Sequence, residues 1–155
     1  MLGAIPNPKK TLEIDFNVEQ IISTILFIPL KDTKYSFISK NDVFKTFRFA
    51  ALEFLSLGVF VDISVSSITD TKSKIEIEVS RKVGAFDQSY EVTKANEHIA
   101  RIATLISECL ILTPVEIKDL EEKNKVLLAE KKGCGTKTAV VLLITLGSII
   151  SLFFQ

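Results

Sequence analysis

Residues 59–80 read VFVDISVSSITDTKSKIEIEVS, and this stretch decides the fold class. In both halves the apolar residues fall at every second position, as Val59, Val61, Ile63, Val65, Ile75, Ile77 and Val79. A period of two places alternate side chains on opposite faces of a strand, so each half predicts a strand with one buried face. The polar residues 69–73 predict a turn between the strands. We therefore expect an antiparallel hairpin whose Ser- and Glu-rich face is solvated or contacts a partner.

A further strand and two helices are predicted on either side of the hairpin. Residues 11–16 alternate between apolar and acidic side chains, which predicts a half-buried strand. Asn17 suits a helix N-cap, Gln20 stands at the capping-box position, and the helical pattern that follows ends at Pro29. Apolar residues recur at helical spacing over residues 88–112, which predicts a longer helix.

The stretch between Asn41 and Gly58 has the spacing of another helix. Its apolar residues form a broad stripe at Val43, Phe44, Phe47, Ala50, Ala51, Phe54 and Leu55. Ser39 or Asn41 would cap the start of this helix, and Gly58 would supply the left-handed residue after its end. We expect the helix to lie on the sheet or on another helix.

These elements predict an α+β fold, a two-layer domain with an antiparallel sheet and helices on one face, plus a C-terminal hydrophobic helix. An amphipathic helix rich in Glu and Lys follows Pro114 and would join the domain to the C-terminal segment. The predicted organisation is an irregular arm at 1–10, the globular domain at 11–113, a stalk helix at 114–132 and a basic flank with a hydrophobic segment at 133–155.

The C-terminal residues 138–155, TAVVLLITLGSIISLFFQ, carry no charge and follow Lys131, Lys132 and Lys137. An apolar run behind a lysine cluster is typical of a tail anchor with the preceding domain on the cytoplasmic face of a membrane. At about 1.5 Å per residue such a run is somewhat short for a bilayer about 30 Å thick. The alternative is a helix buried among neighbours in a large assembly, such as a phage particle or a secretion machine.

Composition and cysteine usage exclude several classes of function. Nineteen basic residues balance 19 acidic ones, and basic and aromatic residues do not alternate, so we expect no nucleic-acid partner. Cys109 lies in an apolar helical pattern and Cys134 beside the basic cluster, so the two cysteines form no metal pair. The sequence predicts neither a metal site nor a cofactor site.

No catalytic motif is present either. His98 is the single histidine, and three helical turns separate it from Cys109, or roughly 16 Å along a straight helix, so they cannot form a dyad. We expect His98 on the helix surface at the edge of the core. Residues 133–138 resemble a phosphate loop, but the spacing of their glycines and lysine is wrong for one and a helix precedes them. We therefore predict that the protein is not an enzyme.

The most distinctive loop is residues 83–90, where Phe86 and Tyr90 are candidates for a partner-binding surface. The alternative role for this loop is to cap the long helix through Asp87 or Ser89. The resulting hypothesis is a membrane-anchored binding module that contacts a protein partner or forms a homo-oligomer. A third possibility is an enzyme or ligand-binding domain with a pocket between helix and sheet, lined by Phe47, Phe54 and Ile63.

Overall fold

The structure, a computed structural model, describes residues 5–52 and 58–131, with side chains as far as Lys123. The chain divides into two units, Met1–Leu112 and Thr113–Gln155. Each unit is described by itself below.

Several predictions concern residues outside the described part of the chain. They are the hydrophobic segment 138–155, its flanking Lys132 and Lys137, the thiol of Cys134, and the side chains of Phe54 and Leu55. Of the predicted flanking lysines, Lys131 is the final residue of the last described helix.

Five strands form one antiparallel sheet in the first unit. They are β1 (Lys9–Ile14), β2 (Tyr35–Asn41), β3 (Thr46–Ala51), β4 (Val59–Thr69) and β5 (Lys72–Arg81). Their order across the sheet is β1-β5-β4-β3-β2, so the two strands of the predicted hairpin lie inside the sheet, while β1 and β2 form its edges.

The predicted hairpin is confirmed as β4 and β5, in a register that places Ile63 opposite Ile77 and Val61 opposite Val79. Every residue of the predicted apolar face is buried, namely Val59, Val61, Ile63, Val65, Ile75, Ile77 and Val79. The hairpin is the base on which the helices pack, because its inner face is apolar without interruption.

Three helices of the first unit lie on this side of the sheet among the described residues: α1 (Val18–Leu26), α2 (Ile28–Lys31) and α3 (Ser89–Leu110). The helix α1 contacts β4 and β5, α3 contacts β1, β4 and β5, and α2 contacts β2 and α3. The predicted α+β fold, an antiparallel sheet with helices on one face, is therefore confirmed.

The predicted start of α1 is also confirmed. The Gln20 backbone N–H donates to Asn17 Oδ1 at 2.9 Å, and the Asn17 backbone N–H donates to Gln20 Oε1 at 3.3 Å. This reciprocal pair is a capping box, which satisfies donors that the first helical turn would otherwise leave open.

The helix predicted between Asn41 and Gly58 is wrong: β2 ends at Asn41, a turn follows, and β3 begins at Thr46. Phe47, Phe49 and Ala51 point into the core at alternate positions, and Phe47 stands opposite Ile63 of β4. The apolar residues of this stretch fit both helical and strand periods. Pairing with the apolar strand β4 selects the strand, because tertiary burial outweighs local propensity.

The second unit contains α4 (Pro114–Lys131), which occupies the region of the predicted stalk helix. At its start the Thr113 backbone N–H donates to Glu116 Oε2 at 2.8 Å, and the Glu116 N–H reaches Thr113 Oγ1 at 3.4 Å. A role for α4 as a stalk stays a prediction. None of the helices in the described residues is long and apolar enough to cross a membrane.

Two glycines have positive φ angles but different surroundings. Gly58, at φ +84°, precedes β4, and a Cβ atom there would overlap the carbonyl oxygen of Ala51. Gly84, at φ +75°, follows β5, and a Cβ atom there would meet no atom within 4 Å. A side chain at Gly84 would meet only the energetic cost of a positive φ angle, whereas a side chain at Gly58 would meet that cost and a steric clash.

We predict that Gly58→Ala lowers the free energy of unfolding by about 3 kcal/mol. The variant would hold an alanine in the left-handed region of φ, and its Cβ atom would overlap the carbonyl oxygen of Ala51. The matched control, Gly84→Ala, pays only the conformational cost of about 1 kcal/mol. Urea unfolding followed by circular dichroism measures both. Equal losses in the two variants would show that the contact with Ala51 does not constrain this end of the sheet.

Candidate functional site

A buried polar contact joins the sheet to the long helix. Tyr35 of β2 and His98 of α3 are 1% and 2% exposed, and their Oη and Nδ1 atoms lie 3.0 Å apart. The rings meet edge to face, with centroids 5.7 Å apart and planes at 82°. The prediction of a surface position for His98 is therefore wrong, because Tyr35, 63 residues away in sequence, covers its ring.

The surroundings of this pair suit a structural contact more than catalysis. A general base needs a substrate within hydrogen-bond reach, and neither side chain meets solvent in the described structure. Among the described residues there is no group of three His, Cys, Asp or Glu side chains that could hold a metal ion. Each side chain gives the other a hydrogen-bond partner inside an apolar layer, so both Tyr35 and His98 can be buried without an unpaired polar atom at this contact.

The predicted pocket between helix and sheet is filled where its lining is described. Phe47 is buried, Ile63 has no accessible surface, and Phe54 lies outside the described residues. Across the interface Ile102 and Leu105 of α3 are equally inaccessible. The described side chains of this layer therefore pack against one another without leaving a water-sized space at these atoms.

Cys109, predicted to be a core residue, is buried near the end of α3. Burial raises the pKa of its thiol to about 11. The charge of Lys31 lowers this pKa by a smaller amount, and the charge of Glu108 raises it slightly. A thiol with such a pKa carries almost no thiolate at neutral pH and is a poor nucleophile.

The turn between β2 and β3, residues 41–45, exposes two large apolar side chains. Val43 and Phe44 are 84% and 72% exposed. Both of their backbone N–H groups donate to Asn41 Oδ1, at 3.0 and 3.1 Å. The predicted helix cap at Asn41 is therefore wrong, and its side-chain oxygen instead accepts the backbone N–H groups of a turn.

Lys45 closes this turn and ties it to the rest of the domain. Its φ of 49° lies in the left-handed region, and its carbonyl accepts the Val65 N–H at 3.1 Å. Its ammonium lies 3.6 Å from a carboxylate oxygen of Glu19 at the start of α1. The hydrogen bonds to the Asn41 side chain and the hydrogen bond from Val65 to Lys45 therefore hold the backbone of the turn at both of its ends.

A shallow cleft of about 280 Å³ lies at the base of the turn. It is lined by Ser39, Lys40, Asn41, Thr46, Phe47, Arg48 and Asp62. Arg48 Nε and Nη2 donate to the two Asp62 carboxylate oxygens at 2.6 and 2.9 Å. These hydrogen bonds, followed by Coulombic attraction to Asp62, raise the pKa of Arg48 above its usual value.

The predicted partner-binding residues Phe86 and Tyr90 occupy different environments. Phe86 is 2% exposed, and its carbonyl accepts the Ile5 N–H at 2.9 Å. Tyr90 is 65% exposed, and the Lys94 ammonium lies 5.7 Å from its ring centroid. The two rings do not share a surface, since Phe86 belongs to the core.

The proposed capping of α3 by Asp87 or Ser89 is also corrected. The N-cap position is Gln88, which makes no side-chain hydrogen bond to the helix. Instead the Asp87 backbone N–H donates to Glu91 Oε2 at 3.3 Å, and Arg81 Nη1 lies 2.9 Å from Glu91 Oε1. An acidic residue in the first turn and an arginine from β5 thus organise this helix start.

Sequence reasoning missed both the turn and Tyr35. The signal for the turn was the polar run from Lys40 to Asp42, which interrupts the apolar pattern with typical turn residues. Tyr35 gave no comparable signal, because its hydrogen bond to His98 depends on the tertiary fold alone.

Comparisons with known proteins give fold likeness only. No protein-family model matches the chain, and no curated protein matches it. A START superfamily protein from Mycobacterium smegmatis aligns at 10% identity over 67% of this chain and 96% of its own, with a TM-score of 0.43. The Zhui aromatase/cyclase from Streptomyces sp. R1128 aligns at 5% identity over 68% and 90%, with a TM-score of 0.41. Major latex-like protein 151 from Panax ginseng aligns at 8% identity over 65% and 96%, with a TM-score of 0.34.

The described helices correct the prediction of a membrane-localised, tail-anchored module with its N-terminal domain in the cytoplasm. That prediction and its alternative, a subunit of a phage particle or secretion machine, are wrong. None of the helices that the structure describes is long and apolar enough to cross a membrane. The segment 138–155, on which the prediction rested, lies outside the described residues.

We predict that Tyr35→Phe lowers the free energy of unfolding by about 2 kcal/mol, because it removes a buried hydrogen-bond partner of His98. Tyr90→Phe is the matched control, since Tyr90 is the other tyrosine and is exposed. Denaturant unfolding of both variants makes the comparison. An unchanged stability for Tyr35→Phe would mean that the hydroxyl contributes nothing to holding α3 on the sheet.

We also predict that Cys109 resists thiol reagents in the folded protein at pH 8. Burial removes solvent access and raises its pKa to about 11, so the thiolate is scarce. The measurement is the rate of reaction with Ellman's reagent in a Cys134→Ser background, with and without urea. Fast reaction without denaturant would place Cys109 at an open surface.

Proposed function

We propose that the protein is a non-catalytic domain that binds a protein partner through the turn at residues 41–45. The observation that carries the proposal is the exposure of Val43 and Phe44, at 84% and 72%, on a turn whose backbone N–H groups donate to the side chain of Asn41. Loops fixed on a rigid scaffold are common binding elements in proteins.

The first support is energetic. Two adjacent large apolar side chains that stay in water add no hydrophobic stabilisation to the folded state. Burial against a partner would remove their apolar surface from water and so favour binding. Asn41 and Lys45 fix the turn before binding, which reduces the conformational entropy lost on association. Phe44 would be the anchor, because a single aromatic side chain that fills a partner's pocket often dominates binding energy.

The second support concerns the kind of partner. One Phe and one Val bury far less than the roughly 800 Å² per side that stable interfaces need. Two copies of this convex turn packed tip to tip would therefore associate weakly. A different protein with a concave apolar site encloses the turn and gains contacts around it, so we favour such a partner over a homo-oligomer.

A second candidate function is favoured by the Tyr35–His98 contact. A hydrogen-bonded pair inside an apolar layer offers one polar anchor for a small apolar molecule between α3 and the sheet. Such a molecule would have to displace packed side chains such as Ile102. A rise in melting temperature with an added fluorescent fatty-acid analogue, lost in Tyr35→Phe, would support this candidate. No rise would remove it.

The proposed protein contact is tested with a photo-crosslinking amino acid in place of Phe44 in the full chain. Illumination in the producing cells is expected to give one adduct, identified by mass spectrometry and reduced by Val43→Ser. The same amino acid at Tyr90, which is similarly exposed, is the matched control. An identical adduct pattern at both positions, or none at Phe44, contradicts the proposal. An adduct between two copies of the chain would replace the proposed partner by a homo-oligomer.

Once the partner is identified, Phe44→Ala is expected to weaken its binding by about 30-fold, as for an anchor worth about 2 kcal/mol. The free energy of unfolding is expected to change by less than about 0.5 kcal/mol, because the side chain is exposed. Calorimetric titration and urea unfolding give the two values. A large loss of stability would assign Phe44 to the fold instead.

A further inference from the structure

The edge strand β1 (Lys9–Ile14) pairs on one side only. Among the described elements it contacts β5 and α3, and no described strand lies beyond it. Its pairing with β5 runs through the whole strand without a bulge. The other edge strand, β2, is interrupted by a register shift between Phe37 and Ser39. Bulges protect sheet edges from further pairing, so β1 is the less protected of the two edges.

The hydrogen-bond pattern identifies which backbone groups of β1 face outward. The Val79 N–H donates to the Pro8 carbonyl at 3.0 Å, directly before the register of β1 with β5 begins. Bonded and non-bonded pairs alternate along an antiparallel ladder, so Lys9, Thr11 and Glu13 direct their backbone N–H and C=O groups away from β5. Within residues 5–52 and 58–131 these outward groups form no hydrogen bond. They are therefore ready to pair with another strand.

The side chains of these three residues complement those of a second, antiparallel copy of β1. A two-fold axis at Thr11 places Lys9 of each copy opposite Glu13 of the other, and Thr11 opposite Thr11. Opposite charges and paired threonines both stabilise cross-strand contacts. The Lys9 and Glu13 side chains are 54% and 58% exposed, so a second copy can reach both. On the other face, the stem of Lys10 would cover the half-buried Leu12 of the second copy.

The neighbouring registers fit less well. The outward backbone groups belong to alternate residues, so they face each other only when the two-fold axis passes through a residue. An axis one residue earlier places Lys10 opposite Lys10. An axis one residue later places Glu13 opposite Thr11 and leaves Lys9 without an acidic residue of the strand opposite it. The charges therefore select the register centred on Thr11.

The new ion pairs would extend pairs that already exist within one copy. Lys9 Nζ lies 3.2 Å from Glu76 Oε1, and Lys72 Nζ lies 2.9 Å from Glu13 Oε2. Across the two strands the charges would alternate in the order Glu76, Lys9, Glu13 of the second copy and Lys72 of the second copy. Each added neighbour is opposite in sign to the one before it, so pairing of the two strands sets no like charges side by side.

We propose that the protein forms a two-fold symmetric dimer through β1, which joins the two five-stranded sheets edge to edge. Backbone hydrogen bonds supply the attraction, and the exposed ion pairs set the register, since such pairs contribute little energy by themselves. One strand edge buries less than a standard interface, so we expect a dissociation constant in the micromolar range.

This inference goes beyond the proposed function and uses a different part of the sheet. The turn at residues 41–45 follows β2, at the edge opposite β1. The dimer would therefore carry one free turn at each end of the joined sheet, and each turn could bind its own partner molecule. Two linked turns also bind a partner with two sites more strongly than one turn does.

The charge pairs are tested with two full-length variants, Lys9→Glu and Glu13→Lys. Each variant alone places like charges opposite each other at two positions, so its self-association should weaken about tenfold. An equal mixture of the two restores opposite charges at both positions of a mixed dimer, and association should return to about the wild-type strength. Sedimentation equilibrium across the micromolar range measures the wild type, each variant and the mixture. Recovery in the mixture cannot come from a folding defect, because both variants are already present in the separate samples.

The register is tested by disulfide crosslinking of Thr11→Cys in a Cys134→Ser background. Residues that exchange two backbone hydrogen bonds across antiparallel strands have Cα atoms about 5.5 Å apart, which a disulfide can span. Oxidation with copper phenanthroline should therefore give a covalent dimer. Thr93→Cys is the matched control, since it makes the same change at an exposed position on α3 and should crosslink only by random collision.

A wild-type chain that stays monomeric, or a mixture that associates no better than its components, overturns the inference. Equal crosslinking at Thr11→Cys and Thr93→Cys overturns it too. The dimer keeps the two turns apart, so it predicts no Phe44 adduct between copies. If the dimer fails while Phe44 crosslinks to another protein, the inference falls and the proposed function stands. If the dimer forms and Phe44 gives no adduct, the proposed function falls and the dimer stands.

Discussion

The pairing of β4 with β5 is the interaction on which the rest of the structure depends. This hairpin supplies the inner strands of the sheet, and its continuous apolar face is where α1 and α3 pack. Its strands are joined by a short turn, so pairing costs little loop entropy before burial stabilises it. The edge strands β1 and β2 and the three helices of the first unit all add to a surface that the hairpin defines.

The sequence predicts this part of the fold well because its signals are local. Alternation along β4 and β5 is visible within twenty-odd residues, and the capping box of α1 needs only Asn17 and Gln20. The long helix α3 is equally clear from its spacing. Each of these elements carries its own evidence and requires no knowledge of its neighbours.

The errors occur where the outcome depends on a distant partner. Phe47 and Ala51 fit a helical stripe as well as a strand, and β4 decides between the two. Once this stretch becomes a strand pair, Val43 and Phe44 move from a predicted core to the tip of a turn. His98 of α3 is likewise buried where it contacts Tyr35 of β2, which is 63 residues away in sequence. The membrane prediction has a different origin, since it rested on the uncharged residues 138–155, on the lysines that flank them and on the lack of a catalytic motif.

The strand order has a consequence for how the chain acquires its fold. Among the described strands, β1 pairs only with β5, so Lys9 meets Glu78 across nearly seventy residues. Ser73 Oγ also donates to the Phe16 carbonyl at 2.7 Å, which fastens the opposite end of β1 to the same late strand. During synthesis from the N-terminus, β1 therefore has no partner until β5 has left the ribosome, and the sheet closes at this edge late. Until then the apolar residues of β1 and α1 are exposed to solvent, and this is the interval in which the chain most needs protection from aggregation.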